Sequence, residues 1–147
     1  IIHTHSIKIA NYIKKNIDSK YKNRILIAYG EDRDKVLNQH MKTNKKTVIL
    51  SPSMAEGVDL KGNLSKFQVI CKIPFPYLGD KVIKKKMNKW NWWYDVQTVR
   101  TIVQSVGRSI RSESDTAVTY ILDSDWSRLY LKNKKLFPKS FIDSYKD

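Results

Sequence analysis

The sequence predicts an α/β fold in which helices cover both faces of a mainly parallel β-sheet. Short apolar runs that suit strands alternate along the chain with longer segments of helical spacing. These runs lack the polar alternation of a half-exposed strand, which indicates that the strands are buried on both faces. Sheets of this kind bind ligands at the carboxyl ends of their strands, so we expect the functional site at that edge.

The order of the elements follows from the same pattern. Ser6 is predicted to cap the first helix, which runs to about Ile17 with apolar residues three and four positions apart. Pro74 and Pro76 end the fourth strand. The predicted strands span residues 1–4, 24–28, 47–50, 67–73 and 117–122. The predicted helices span residues 6–17, 32–41, 80–90, 94–115 and 126–131.

Length and composition suit one domain. A chain of 147 residues with 41% hydrophobic residues can bury a core of its own. Apolar stretches stay well short of the roughly 20 residues that cross a bilayer, so we expect no membrane partner. The single cysteine, Cys71, has apolar neighbours and indicates a buried strand thiol in a reducing, intracellular compartment. Because the chain begins at Ile1 without an initiating Met, we expect a fragment of a longer protein.

The charge of the chain favours a polyanionic partner. Lys and Arg number 28 against 14 Asp and Glu, giving a net charge of +14. A nucleic acid is the usual partner of such a domain. The alternative is that lysine-rich surfaces reflect the codon usage of an AT-rich genome and are simply solvated. Several lysines of the predicted helix 80–90 lie on different faces, so some of them must be solvated.

The predicted helix 94–115 carries two stripes of different character. An apolar stripe faces the core and consists of Val96, Val99, Val103, Val106 and Ile110. A second stripe consists of Arg100, Gln104, Arg108 and Arg111. Clustered guanidinium groups suit phosphate oxygens, although a solvated face paired with Glu113 and Asp115 is the alternative. Gly107 costs about 1 kcal/mol inside a helix, which indicates either close approach of another group or an end of the helix there.

The loop 51–60, SPSMAEGVDL, follows the predicted third strand. A glycine beside two carboxylates at the end of a strand can bring backbone amides to a ligand. The alternative is a tight loop in which Gly57 and Gly62 serve only the backbone angles.

These segments resemble a known family. Segment 53–59, SMAEGVD, resembles motif V, and segment 104–111, QSVGRSIR, followed by Asp115, resembles motif VI of the XPD/DinG branch of superfamily 2 helicases. Segment 2–6, IHTHS, is similar to motif IV of that branch. Further matches in the family's order lie at 73–79, 93–94, 120–123 and 136–138. The resemblance therefore covers nearly the whole chain.

The resemblance implies a RecA-like, P-loop NTPase-type three-layer sandwich that packs against an amino-terminal motor domain, with ATP in the cleft between them. It implies that Arg108 and Arg111 are arginine fingers for the γ-phosphate and that Gln104 positions the phosphate or the attacking water. The residues that it assigns to nucleotide binding are Glu56, Gly57, Asp59 and Gly107. It also implies travel on single-stranded DNA from 5′ to 3′.

The chain departs from a complete helicase in one respect. It has no Gly-x-x-x-x-Gly-Lys-Ser/Thr phosphate loop and no Asp-Glu-x-His motif. We therefore expect ATP and Mg²⁺ to be bound mainly by the missing domain and this chain alone to be inactive. The cysteines that bind an iron–sulfur cluster in many relatives belong to that other domain, so no cluster is encoded here.

Single-stranded DNA is the expected partner. Helix amino termini and lysines bind phosphate, and the resemblance places Ser6, Lys8 and Ser53 beside the DNA backbone, although capping of a helix or loop explains each serine equally well. Tyr77 could stack on a base, but packing or loop anchoring is favoured for it.

Two other groups are given structural interpretations. Trp90, Trp92 and Trp93 are expected to anchor the following helix to the core rather than to contact DNA. His3 and His5 are expected on one face of a strand, and no metal site is predicted because a third ligand is missing nearby.

Two functional alternatives remain beside the motor. One is a non-catalytic nucleic-acid-binding module with a degenerate motor fold, whose arginines contact DNA phosphates. The other is a nuclease-linked or scaffolding relative that has lost ATP turnover.

Overall fold

The computed structural model describes residues 1–53, 60, 64–109 and 116–146. The β-strands are β1 (Ile2–His3), β2 (Ile25–Ile27), β3 (Val48–Ser51), β4 (Phe67–Ile70) and β5 (Val118–Ile121). The α-helices are α1 (Ile7–Asn16), α2 (Ser19–Lys22), α3 (Arg33–Lys42), α4 (Lys81–Lys89), α5 (Trp93–Val106), α6 (Trp126–Asn133) and α7 (Lys139–Ser144). No helix in this described part of the chain is both long enough and apolar enough to span a bilayer.

The strands form one five-stranded parallel sheet in the order β2-β3-β1-β4-β5. The short strand β1 lies at the centre and pairs His3 with Ser51 on one side and with Ile70 on the other. All carboxyl ends of the strands therefore meet at one edge of the sheet. The α/β class with a parallel sheet is confirmed.

Helices pack on both faces of the sheet because neighbouring strand residues point to opposite sides. On one face Leu50 packs with Ala10 of α1. On the other face Ile49 packs with Leu37 of α3 and with Leu60. Both strand residues are almost fully buried, which explains why residues 48–50 of β3 are all apolar.

A third cluster joins α5 to the carboxyl-terminal helices. Trp126 at the start of α6 stacks on Tyr130 with ring centroids 5.3 Å apart and meets Phe137 edge-on at 5.8 Å. These rings pack against Val99 and Ile102 of α5. The helix α7 was not predicted from the sequence, and its Phe141 adds to this cluster.

The helix predicted for residues 94–115 differs from the prediction in length and in buried face. The α-helix α5 ends at Val106, and Gly107–Ser109 forms a 3₁₀ turn. The most buried residues of α5 are Thr98, Val99, Ile102 and Ser105, whereas Val96, Val103 and Val106 are only partly buried. The hydroxyls of Thr98 and Ser105 donate to carbonyls one turn earlier, at 2.9 and 2.8 Å, so both polar side chains can enter the core.

Two smaller predictions need correction. Cys71 lies just beyond β4 and is only partly buried, although burial still raises the pKa of its thiol. His3 and His5 do not share a strand face, because β1 ends at His3 and His5 is exposed with a positive φ of 62°. This left-handed residue turns the chain from β1 into α1.

Candidate functional site

The residues that the sequence singled out and that the structure describes lie at two opposite edges of the sheet. Ser6 and Ser53 follow the carboxyl ends of β1 and β3, which are neighbours in the sheet. Arg108 follows the carboxyl end of α5, which lies at the other edge. The chain therefore separates the predicted DNA-binding residues from the described part of the predicted nucleotide site.

The course of α5 fixes the position of Arg108. At the start of this helix the hydroxyl of Tyr94 donates to the carbonyl of Pro76, beyond the carboxyl end of β4, at 3.0 Å. At its end the carbonyl of Val106 accepts a bond of 2.9 Å from the Nε2 of Gln68, the second residue of β4. The helix thus runs antiparallel to β4, and the turn that carries Arg108 lies beside the amino end of that strand.

The expectation of a single site at the carboxyl edge is therefore wrong for Arg108. A helix that connects two parallel strands must return to the amino edge before the next strand begins. The carboxyl-edge rule concerns ligands held by a sheet's own strand ends. A phosphate held mainly by another domain is not subject to that rule.

The arginine stripe is also divided by the end of α5. Gln104 lies exposed on the last turns of the helix, and Arg100 is exposed one turn earlier. Arg108 lies in the 3₁₀ turn and is half-buried, with interactions inside the domain. Ile110 and Arg111 lie outside the described residues, as do the alternative partners Glu113 and Asp115.

Gly107 marks the end of the helix, which is one of the two roles the sequence suggested for it. Its φ of −65° and ψ of −9° are open to any residue. Among the described residues, no atom lies within 4 Å of a β-carbon built on Gly107. No described residue therefore blocks the approach of an outside group to this backbone.

The segment that resembles motif V lies mostly outside the described residues. Glu56, Gly57 and Asp59 lie outside the described residues. Leu60 is buried in the core, and the carbonyl of Leu64 accepts a bond of 3.0 Å from Nε2 of His40. The loop thus leaves β3 at the carboxyl edge and is held again by the core before β4 begins.

The turn after α5 is held at both ends by buried hydrogen bonds. Besides the Gln68 to Val106 bond, the hydroxyls of Ser65 and Ser109 lie 2.5 Å apart, and both serines are almost fully buried. Sequence reasoning missed Gln68, Ser65 and Ser109. The available signal was one polar residue, Gln68, inside the otherwise apolar run FQVIC.

His3 belongs to the same buried region. Its Nε2 lies 3.2 Å from the Oε1 of Gln68, and its Nδ1 has no hydrogen-bond partner among the described residues. Burial lowers the pKa of His3 to about 4, against the raising effect of the Gln68 bond, and the charge of Arg108 lowers it further. His3 is therefore a neutral histidine near the turn that carries Arg108.

The predicted DNA-binding residues lie at or near the carboxyl edge. Ser6 caps α1 as predicted, since its hydroxyl accepts a bond of 3.2 Å from the Ile9 amide. Lys8 is exposed in the first turn of that helix. Ser53 is exposed, and its carbonyl accepts a bond of 2.7 Å from the Ser51 hydroxyl.

Aromatic side chains beyond β4 are more exposed than expected. Tyr77 is 78% exposed and its ring lies over Gly79, so of the two favoured roles it fits loop anchoring and not core packing. Trp90 and Trp92 are 40% and 58% exposed, so neither is the core anchor that was favoured. Lys89 lies over the Trp90 ring, 4.7 Å from its centroid. These rings are open to a stacking partner, which the sequence interpretation had ranked lower.

The fold and the turn after α5 define the class of this chain as a RecA-like α/β domain. The profile of one family, described as the helicase C-terminal domain, matches residues 1–143. The chain therefore belongs to the helicase C-terminal domain family.

Curated relatives agree with this assignment. The chain is 30% identical to the ATP-dependent DNA helicase YoaA of Haemophilus influenzae over 128 residues, covering 82% of this chain and 19% of the relative. It is 28% identical to the ATP-dependent DNA helicase CHL1 of Candida albicans, covering 69% of this chain and 15% of the relative. It is 32% identical to the ATP-dependent DNA helicase XPD of Sulfolobus acidocaldarius, covering 54% of this chain and 16% of the relative. The chain thus spans less than a fifth of the length of these relatives.

Proposed function

We propose that this domain is the second motor half of an ATP-dependent DNA helicase that moves on single-stranded DNA inside the cell. In this proposal a first motor domain of the same protein holds ATP and Mg²⁺, and the present domain closes on it before hydrolysis. Arg108, together with Arg111, brings positive charge to the γ-phosphate, and Gln104 orients the phosphate or the attacking water. The names of the relatives, each an ATP-dependent DNA helicase, support the proposal.

The observation that carries the proposal is the position of Arg108 in a turn that is anchored on both sides. A charge that stabilises phosphoryl transfer works best when it is held in place before the reaction, because no reorganisation is then needed. The bonds to Val106 and Ser109 hold the backbone on either side of Arg108. The arginine must exchange its interactions within the domain for the phosphate when the two domains close.

The surroundings of the turn fit a nucleotide phosphate. No described residue fills the space beside Gly107, and the guanidinium of an arginine matches phosphate oxygens in geometry and charge. When bound, ATP would supply the γ-phosphoryl group that is transferred to water, and this hydrolysis would let the closed domains open again. Glu56, Gly57 and Asp59 would line the same cleft in this proposal.

DNA is proposed to follow the opposite edge of the sheet. Ser6 and Lys8 lie at the amino terminus of a ten-residue helix, where backbone amides and positive charge favour phosphate. Ser53 follows the neighbouring strand, and the exposed ring of Tyr77 could stack on a base. Because nucleotide and DNA would bind at separate edges of the sheet, one movement of the domain would change the contacts to both.

The test is the substitution Arg108→Ala in the full-length protein, with DNA-stimulated ATP hydrolysis as the measurement. Removal of a charge that stabilises the transition state lowers kcat on the order of 100-fold or more. Arg128→Ala is the matched control, because Arg128 is an exposed arginine that pairs locally with Asp125 at 3.0 Å. We expect the control to keep its kcat.

Two outcomes would contradict the proposal. An unchanged kcat in Arg108→Ala excludes the arginine-finger role. An unchanged kcat together with weaker DNA binding would mean that Arg108 contacts DNA phosphate instead of ATP. Measuring the affinity for single-stranded DNA on the same variants separates these two results.

A further inference from the structure

Gln68 is a buried polar side chain in the middle of the sheet. It is the second residue of β4 and is only 1% exposed. Burying an amide without hydrogen bonds costs several kcal/mol, so such a residue is kept only where its bonds are satisfied. Its bonds therefore indicate what the residue holds in place.

The amide of Gln68 has a single consistent orientation. The carbonyl of Val106 can only accept, so the Gln68 group 2.9 Å from it must be the NH₂, which also lies 3.4 Å from Oγ1 of Thr119. Oε1 of Gln68 then faces Nε2 of His3, and this histidine must donate to it. His3, neutral and protonated on Nε2, thus fixes the amide from the central strand β1.

The atom that Gln68 holds is the last carbonyl of α5. Carbonyls at the end of a helix have no partner within the helix and must be satisfied elsewhere. The Gln68 bond satisfies Val106, and the next residues turn into the 3₁₀ segment Gly107–Ser109. Ser65 then holds Ser109 through the buried pair of hydroxyls. Arg108 lies between these two fixed points.

We propose that Gln68 and Ser65 are positioning residues for Arg108. They hold the backbone on both sides of the arginine. The turn therefore keeps one conformation, and the guanidinium reaches the phosphate without rearrangement of the backbone. This inference rests on the proposed function of Arg108. A displacement of about 1 Å in a reacting group can cost on the order of 100-fold in rate, which sets the scale of the expected effect.

The test uses Gln68→Met and Ser65→Ala in the full-length protein. Met has a similar volume but cannot bond to Val106, and Ala removes only the hydroxyl. We expect kcat for DNA-stimulated ATP hydrolysis to fall about 10- to 100-fold in Gln68→Met and less in Ser65→Ala. KM for ATP and the affinity for single-stranded DNA should change less than about threefold, because bound ATP is held mainly by the other domain.

The control separates positioning from stability. Ile25→Val removes a methylene group from a buried residue of β2 that packs with Ala10 and Leu50. The strands β3 and β1 lie between β2 and β4, so this substitution should lower the melting temperature without lowering kcat. Ser65→Thr keeps the hydroxyl and should retain more activity than Ser65→Ala. If Gln68→Met does not fold, Ser65→Ala and Ser65→Thr still decide the question.

A double-mutant cycle with Arg108→Ala gives the sharpest result. If Gln68 acts through Arg108, Gln68→Met should add less than about twofold to the loss already caused by Arg108→Ala. A full additional loss would show a general structural role and overturn the inference. Full activity in Gln68→Met and Ser65→Ala, beside a strong defect in Arg108→Ala, would overturn the inference while leaving the proposed function standing. An unchanged kcat in Arg108→Ala would overturn both the inference and the proposed function of Arg108.

Discussion

The carboxylate of Asp123 accepts a hydrogen bond of 2.9 Å from the backbone amide of Ile73, so that the segments after β5 and β4 are joined. The same carboxylate accepts from the Asp125 amide at 3.1 Å and lies 3.6 Å from Nζ of Lys72. Burial alone would raise the pKa of Asp123, but the two backbone bonds and Lys72 outweigh it and lower the pKa. The charged form is therefore the one that the fold stabilises.

Asp123→Ala should destabilise the domain by about 2–3 kcal/mol, because it leaves the buried Ile73 amide without its acceptor. The free energy of unfolding from chemical denaturation measures this loss. Asp143 is an exposed aspartate on α7, and Asp143→Ala is expected to stay within about 0.5 kcal/mol of the unsubstituted domain.

The pH dependence gives an independent check on Asp123. Its pKa is lowered in the folded state, so its contribution to stability is present above the unfolded pKa and is lost as the pH falls through the folded pKa. Asp123→Ala should therefore differ less from the unsubstituted domain in strong acid than at pH 7. Equal destabilisation at both pH values would show that the ionised carboxylate is not what matters.

His3 should make the domain less stable in mild acid. Its pKa is lowered to about 4, so between about pH 6.5 and pH 4 the unfolded chain binds a proton that the folded chain does not. The free energy of unfolding should fall by up to about 1.4 kcal/mol per pH unit across that window and lose nothing further from His3 below pH 4. Stability curves between pH 4 and pH 7 measure the slope.

A nuclear magnetic resonance titration of the imidazole nitrogens identifies the residue directly. At pH 6 His3 should be neutral with its proton on Nε2, as the Gln68 bond requires. In a His3→Leu variant, the part of the pH dependence of the free energy of unfolding that comes from His3 should be absent. A His3 signal that titrates near pH 6.5 would contradict both the burial argument and the assigned tautomer.

The positions of the strands along the chain and the first helix cap could be predicted because both depend on local sequence. Short apolar runs found β1 to β5, since strands buried on both faces need no polar positions. Ser6 followed by residues of helical spacing identified the start of α1. Helix α7 was missed because its six residues are too few to show a clear period.

The details around Arg108 could not be predicted because they depend on distant partners. Gln68 and Ser105 are buried, and apolar periodicity ignores polar residues whose bonds are supplied by other elements. Gly107 suited both an end of the helix and a close approach. The general rule that parallel sheets bind ligands at the carboxyl edge gave the wrong edge for Arg108. The rule applies to the ends of strands, whereas Arg108 follows the end of a connecting helix at the amino edge.

Gly107→Ala should separate folding from function. Its backbone angles lie in the right-handed region, and a β-carbon would touch no residue of the described chain. The free energy of unfolding should therefore stay the same or rise by up to about 1 kcal/mol. In the full-length protein the added methyl group would occupy the space proposed for the nucleotide. ATP hydrolysis should therefore fall although the domain remains stable. Unchanged hydrolysis would exclude close approach of the nucleotide to this backbone.

The amino terminus of α1 allows capping and DNA binding to be tested separately. Ser6→Ala removes the cap and should cost about 1 kcal/mol of stability, whereas Ser6→Asn retains a capping oxygen and should cost only a few tenths. Lys8→Gln should leave stability nearly unchanged because this side chain is exposed.

For single-stranded DNA, Lys8→Gln should weaken binding in a sequence-independent way and reduce the salt slope of log affinity by about 0.7, since one phosphate contact is lost on a single strand. Lys22→Gln is the matched control, because Lys22 is an exposed lysine at the end of α2, before β2 begins and thus at the amino edge of the sheet. If both substitutions reduce the slope equally, the DNA is held by diffuse surface charge. The proposed path along the carboxyl edge requires the effect to be confined to Lys8.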